Sequence, residues 1–233
     1  MRAILAPGDE VLIPEPATSH ISCTTLAGGV PVSVPAKIEN EFRITPQELE
    51  EHVTDKTKVL LIGYPNNPTG AIMRREDLMA IAAFAKKHDL IVISDEIYGD
   101  LTYGGEEHVC FSSLPDMQER TILLNGFSKA YAMTGWRIGY AMSNPTIIGA
   151  MTKIHQYTML CAPITAQIAA IEALRHGKKY MQKMVAEYDR RRHLIYDASR
   201  RWDSPASSRK ELSTSSRASP ALAIPLKNLP KNS

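Results

Sequence analysis

Cysteine is nearly missing: Cys23, Cys110 and Cys161 stand far apart, with no C-x-x-C pair among 233 residues. That argues against a disulfide framework and a thiolate metal site, and it suits a reducing compartment. Neither sign of charge dominates, since 27 Lys plus Arg face 25 Asp plus Glu for a formal net charge of +2. Nothing in that balance calls for nucleic acid or an acidic membrane surface as a partner. Long apolar runs are lacking too, because Pro, Gly or a charge interrupts each one before bilayer length, and no membrane span is expected. The opening stretch Met1 to Ala6 is cut short by Pro7-Gly8-Asp9-Glu10. It is too brief for a secretory signal, and the expected location is the cytoplasm. The seven histidines show no H-E-x-x-H spacing, so no metal is expected.

What the chain does have is an ordinary globular balance of 44% hydrophobic and 22% charged residues, enough to bury a core. Residues 11–14 (V-L-I-P) and 30–34 (V-P-V-S-V) read as short strands, the second preceded by Gly28-Gly29. Thr45-Pro46-Gln47-Glu48 places an N-cap residue, a first-turn proline and a Glu at the third position, the pattern of a helix start. Residues 58–63, 90–94 and 121–124 are apolar runs without polar alternation, as in strands covered on both faces. Between the first two of these, Leu78, Ile81, Ala82 and Ala85 keep helical spacing up to Lys86-Lys87-His88. Alternating strand and helix predicts an α/β fold with a mostly parallel sheet.

Residues 144–197 read as mostly helical, with a basic, solvated stretch from Lys178 to Arg192. From Ser199 onward the composition breaks: nine serines, four prolines, no glycine and the single aromatic Trp202. An irregular or disordered tail over 199–233 is expected. A change of reading frame offers a second account. Permitted codons for residues 203–217, displaced by one frame, read G-L-P-C-F-E-P-K-G-A-F-Y-V-F-P, a strand-like phrase.

Three loops at strand ends carry the chemistry: Tyr64-Pro65-Asn66-Asn67-Pro68-Thr69-Gly70, Asp95-Glu96-Ile97-Tyr98 and Gly126-Phe127-Ser128-Lys129. Ligands of parallel sheets bind beyond the carboxyl ends of the strands, so the three would converge on one cleft. Asp95 would stand there as a carboxylate in need of a cationic partner. Lys129, partly desolvated beside other cations, would lose its proton more easily and act as an amine nucleophile toward a carbonyl. Arg137 brings a planar guanidinium suited to phosphate, with the Ser128 hydroxyl as a further donor. Asn67 adds an amide on a stiff loop, and Tyr98 a phenol. Each alone has a plainer reading: Lys129 a surface charge, Asp95 a turn acid, Arg137 a surface ion pair, Asn67 a turn residue. Trp136 and Met133 read as packing. An acid, an amine, a phenol, an amide and a phosphate clamp together describe a pyridoxal phosphate site.

Residues 126–139, G-F-S-K-A-Y-A-M-T-G-W-R-I-G, resemble the lysine attachment signature of class I and II aminotransferases, and N-N-P-T-G at 66–70 and D-E-I-Y at 95–98 match that family in order. The resemblance implies the three-layer α/β/α large domain of fold-type-I enzymes, here partial. It implies residues 1–175 as a cofactor domain lacking its N-terminal part and 176–198 as a helix leading into a smaller domain. Lys129 resembles the lysine that holds pyridoxal 5'-phosphate as a Schiff base and shuttles a proton. Asp95 resembles the partner of the pyridine nitrogen, Tyr98 and Asn67 the pair at the ring hydroxyl, and Ser128 and Arg137 ligands of the phosphate. The implied reaction moves an amino group from an amino acid to a 2-oxo acid, in a homodimer.

Departures from the pattern stand beside it. The loop and helix that precede the strand at 11–14 in relatives are expected to be missing, Gly126 replaces a phosphate-binding serine, and the arginine for the substrate carboxylate lies beyond the matching region. Relatives carry a ring-stacking aromatic soon after P-x-P, where this chain has Ala17-Thr18-Ser19-His20, so His20 alone could stack. The alternatives are a truncated, non-catalytic remnant and a lyase on the same scaffold. A hydrolase elbow at 126–130 is a poorer match, because its second glycine is absent.

Overall fold

A computed structural model describes residues 1–17 and 19–201. Six strands form one sheet: β1 (Glu10–Glu15), β2 (Val30–Pro35), β3 (Thr57–Gly63), β4 (Ile91–Asp95), β5 (Thr121–Gly126) and β6 (Gly139–Met142), in the order β2-β1-β3-β4-β5-β6. The first five run parallel, and β6 is antiparallel to β5. Every strand read from the sequence is present within a residue or two. β6 was not read, because G-Y-A-M is too short and too exposed to carry a strand period.

The unbroken apolar runs of β1, β3 and β4 are buried on both faces, as parallel pairing requires. Leu12, Leu60, Ile62 and Val92 point to one face, where they join Leu78, Ile81 and Phe84 of α3 (Arg75–Lys87) and Leu49 of α2 (Pro46–Glu50). Val11, Ile13, Val59, Leu61 and Ile93 point to the other, against Ile147 and Met151 of α4 (Pro145–Thr158) and Ile21 of α1 (His20–Leu26). Two faces covered by helices make the three layers expected. The start of α2 is the capping box read from its sequence: the Thr45 hydroxyl accepts from the Glu48 amide at 3.3 Å, and Glu48 accepts from the Thr45 amide at 2.9 Å.

α5 (Ile164–His176) and α6 (Lys178–Arg201) follow. Only Ala166 and Ala170 of α5 are buried, while Ile164, Ile168, Ile171 and Leu174 are exposed. α6 continues through Arg201, past the compositional break at Ser199, so residues 199–201, expected to be irregular, are helical. Helical hydrogen bonding depends on the backbone and tolerates a serine near a helix end, which composition does not register. Expectations for residues 202–233, the change of reading frame included, lie outside the described residues. Trp136, read as packing, is half exposed, whereas Met133 is buried against Phe127 and Ala170.

Candidate active site

Register brings the carboxyl ends of three strands side by side, with Gly63 opposite Asp95 and Asp95 opposite Leu124. The loops that follow these strands therefore leave the sheet at one edge.

The loop after β3 is tied by Asn66. Its carboxamide oxygen accepts from the Thr69 hydroxyl at 2.8 Å and amide at 3.3 Å, and its Nδ2 donates to the carbonyls of Gly63 and Pro16 at 3.3 and 3.4 Å. Asn66 is spent on the loop, and Asn67 is left to reach outward. Its Nδ2 donates to the Tyr98 hydroxyl across 3.3 Å.

After β4, the Asp95 carboxylate accepts from the Ile97 amide at 3.2 Å through Oδ1. Its other oxygen lies 3.5 Å from Nε2 of His20. Asp95 keeps 31% of its side-chain surface open, and His20 keeps 17%. His20 was read as the only candidate for ring stacking; its ring nitrogen is turned to the carboxylate and its Cε1 lies against Gly63, where an added Cβ would come within 3.0 Å. The Asp95 partnership of His20 escaped the sequence reading, since the two are 75 positions apart.

Lys129 sits in a tight turn after β5. The Phe127 carbonyl accepts from the amides of Tyr131 and Met133 at 3.3 and 3.1 Å. Phe127 and Met133 are buried against α5, and Phe127 packs on Tyr131 with ring centroids 5.6 Å apart. Burial pushes the Tyr131 phenol above its ordinary range, and the Asp100 charge adds to the shift. With its flanks anchored, Lys129 is half-buried, and its Nζ stands 5.3 Å from the centroid of the Tyr98 ring.

Ser128 and Arg137 are joined through Thr134. The Arg137 guanidinium donates to the Thr134 carbonyl at 2.8 Å, and the Thr134 hydroxyl donates to the Ser128 carbonyl at 2.9 Å. Arg137 is exposed and holds a left-handed backbone, φ 53° and ψ 50°, a conformation that side chains bearing a Cβ disfavour. The structure thus brings Asn67 onto the Tyr98 hydroxyl and the Lys129 amine over the Tyr98 ring, sets Asp95 at the neighbouring strand end with His20, and links Arg137 to Ser128 through Thr134 by side-chain-to-backbone hydrogen bonds.

The donor set has the chemistry of a site for an aldehyde-bearing, anionic heteroaromatic group: an amine, a phenol with its amide, an open carboxylate and a guanidinium. No group of three or more His, Cys, Asp or Glu among the described residues is arranged to hold a metal ion. No described helix is long and apolar enough to cross a membrane.

Comparison with known proteins gives the same answer. The model of the family "Aminotransferase class I and II" matches residues 1–206. An aspartate aminotransferase of Pyrococcus abyssi is 48% identical over 199 residues, covering 84% of this chain and 51% of the relative. An aromatic-amino-acid aminotransferase of Thermococcus litoralis is 44% identical over 199 residues, covering 84% of this chain and 51% of that one. The crystal structure of an aromatic aminotransferase from Pyrococcus horikoshii superposes with a TM-score of 0.82 at 47% identity, over 84% of this chain and 53% of that one. The chain spans about half the length of the curated relatives it matches. On its sequence, its sheet and the residues that meet at one end of that sheet, this chain belongs to the class I and II aminotransferase family.

Proposed function

We propose that this chain binds pyridoxal 5'-phosphate through Lys129 and serves the transfer of an amino group from an amino acid to a 2-oxo acid. The observation that carries the reading is the Tyr98 phenol, held by Asn67 and overlain by the Lys129 amine, on the loop that begins at the partly exposed Asp95 carboxylate. The bound cofactor supplies an electron sink for the pair released when a proton leaves the substrate's α-carbon. Lys129 would hold the cofactor through Nζ at its aldehyde carbon, water being released, and when free it would be the group that carries a proton to and from the substrate carbon. The Asp95 carboxylate would hold the cofactor's ring nitrogen by charge. Asn67 fixes the Tyr98 hydroxyl, whose remaining hydrogen-bonding capacity would be available to the cofactor's ring oxygen. Ser128 and Arg137 take the phosphate.

Relatives named for aspartate and for aromatic amino acids support those two classes as donors. Residues 1–175 would belong to the cofactor domain and 176–198 would lead toward a second one. The exposed apolar side chains of α5 support assembly as a homodimer. The balance of charge and the three isolated cysteines support a cytoplasmic setting.

The test adds pyridoxal phosphate to the full chain and follows absorbance, then reduces with borohydride and locates the adduct by peptide mass. An adduct on the peptide holding Lys129, absent in Lys129→Ala, is expected. A folded chain that forms no adduct would leave only the remnant reading.

A further inference from the structure

Glu96 lies in the chain between Asp95 and Tyr98, two residues of the site. It is 2% exposed, and burying a carboxylate costs several kcal/mol unless hydrogen bonds replace its water. Here they do. Oε1 accepts from the Ser94 hydroxyl at 2.8 Å and from the Phe111 amide at 2.9 Å, and Oε2 meets Nε2 of His108 at 2.6 Å. The backbone is tied as firmly: the Glu96 amide donates to the Leu124 carbonyl of β5 at 2.9 Å, and its carbonyl accepts from the Gly99 amide at 2.9 Å. Gly99 completes the contact, since a Cβ there would come within 2.8 Å of the His108 ring. The turn that carries Asp95 and Tyr98 is thus gripped from behind by the segment 108–111, and the gripping group is a single carboxylate.

We propose that Glu96 is a positioning residue: by clamping 108–111 against the 95–99 turn, it holds the Tyr98 phenol toward Asn67 and Lys129, and the Asp95 carboxylate toward the cleft. The inference rests on the cofactor reading above and assigns Glu96 no contact with the cofactor. A neutral amide of the same shape keeps the arrangement, because Gln retains one acceptor oxygen for Ser94 and Phe111. Its NH2 can donate to His108 in the tautomer that leaves Nε2 unprotonated. An alanine leaves a buried hydroxyl and a buried amide without their acceptor.

The experiment measures two quantities on the full chain: amide exchange at Ile97, Gly99 and Phe111 without cofactor, and the dissociation constant of pyridoxal phosphate by absorbance. Glu96→Ala is expected to speed exchange at those amides and to weaken cofactor binding, each by about tenfold or more. Glu96→Gln restores both to within about threefold. Unchanged protection of Leu12 and Leu60 in β1 and β3 reports that the sheet is intact. If Glu96→Ala does not fold, His108→Ala carries the test, since His108 stands at the partly open end of the contact. Faster exchange with undiminished cofactor binding would overturn the positioning role and leave Glu96 a purely structural residue. Unchanged exchange would overturn the clamp itself. A folded wild type that takes up no cofactor would instead bring down the functional reading, and the positioning role with it.

Discussion

Asn67 and Tyr98, 31 positions apart, are joined by one hydrogen bond of 3.3 Å from the Asn67 amide to the Tyr98 hydroxyl. It crosses between the loops after β3 and β4, and the same phenol ring underlies the Lys129 amine. Tyr98→Phe and Asn67→Ala should each weaken pyridoxal phosphate binding by up to about tenfold, the worth of one hydrogen bond in a partly buried site. The double variant should be less than additive, because the two groups share one bond. Absorbance titration of the three variants measures this.

Arg137 poses a conflict between backbone and side chain. Its left-handed conformation disfavours any residue with a Cβ, while its guanidinium is the candidate phosphate ligand. Arg137→Gly should therefore be as stable as the parent or up to about 1 kcal/mol more stable. It should bind pyridoxal phosphate about tenfold or more weakly than the parent does, while binding of pyridoxal, which lacks the phosphate, is unchanged. Urea unfolding and parallel titrations with the two vitamers separate the effects.

Gly126 stands where the family resemblance leads one to expect a phosphate-binding serine, and its surroundings leave no room for a side chain. A Cβ there would lie 3.0 Å from the Cα of Gly139, its partner in the β5 and β6 pairing, and 3.2 Å from the Ile138 carbonyl, both backbone atoms. Gly126→Ser should cost about 1–3 kcal/mol through overpacking, without strengthening cofactor binding. A lower urea midpoint at constant slope is the expected result.

Tyr103 is 3% exposed, and among the described residues its hydroxyl has no hydrogen-bond partner. Burial, the largest cause, pushes the phenol up to about 12, with the Arg192 charge opposing. In the unfolded chain the phenol ionises near its ordinary value of about 10. The folded state keeps its proton longer, so this contribution is full below pH ~10 and is lost as pH rises toward ~12. Tyr103→Phe should raise neutral-pH stability by about 1 kcal/mol, by removing an unsatisfied hydroxyl, and should lessen the alkaline loss. Thermal unfolding from pH 7 to 12 gives the profile; loss from Tyr64, which burial also raises, remains.

Much of the architecture was legible locally. The runs 58–63, 90–94 and 121–124 contain too many consecutive apolar side chains for anything but a strand covered on both faces, and Thr45 with Glu48 announces a helix start. The site loops were legible as well, since a parallel strand delivers whatever follows it to the same edge of the sheet. His20, Glu96 and His108 were not. Their roles arise from contacts between residues 12 to 75 positions apart, and no period or spacing records such a meeting.

The amino-acid order alone determined which segments become strands and helices and which side chains stand at the strand ends, because periodicity and capping act over a few residues. Only the assembled sheet decided which of those side chains touch. Strand register set Asp95 beside Gly63, and packing of Phe127 and Met133 on α5 turned Lys129 toward Tyr98. Burial then forced a carboxylate at position 96 to find three partners, Ser94 beside it and His108 and Phe111 from a later segment, since no charge is held away from water without them.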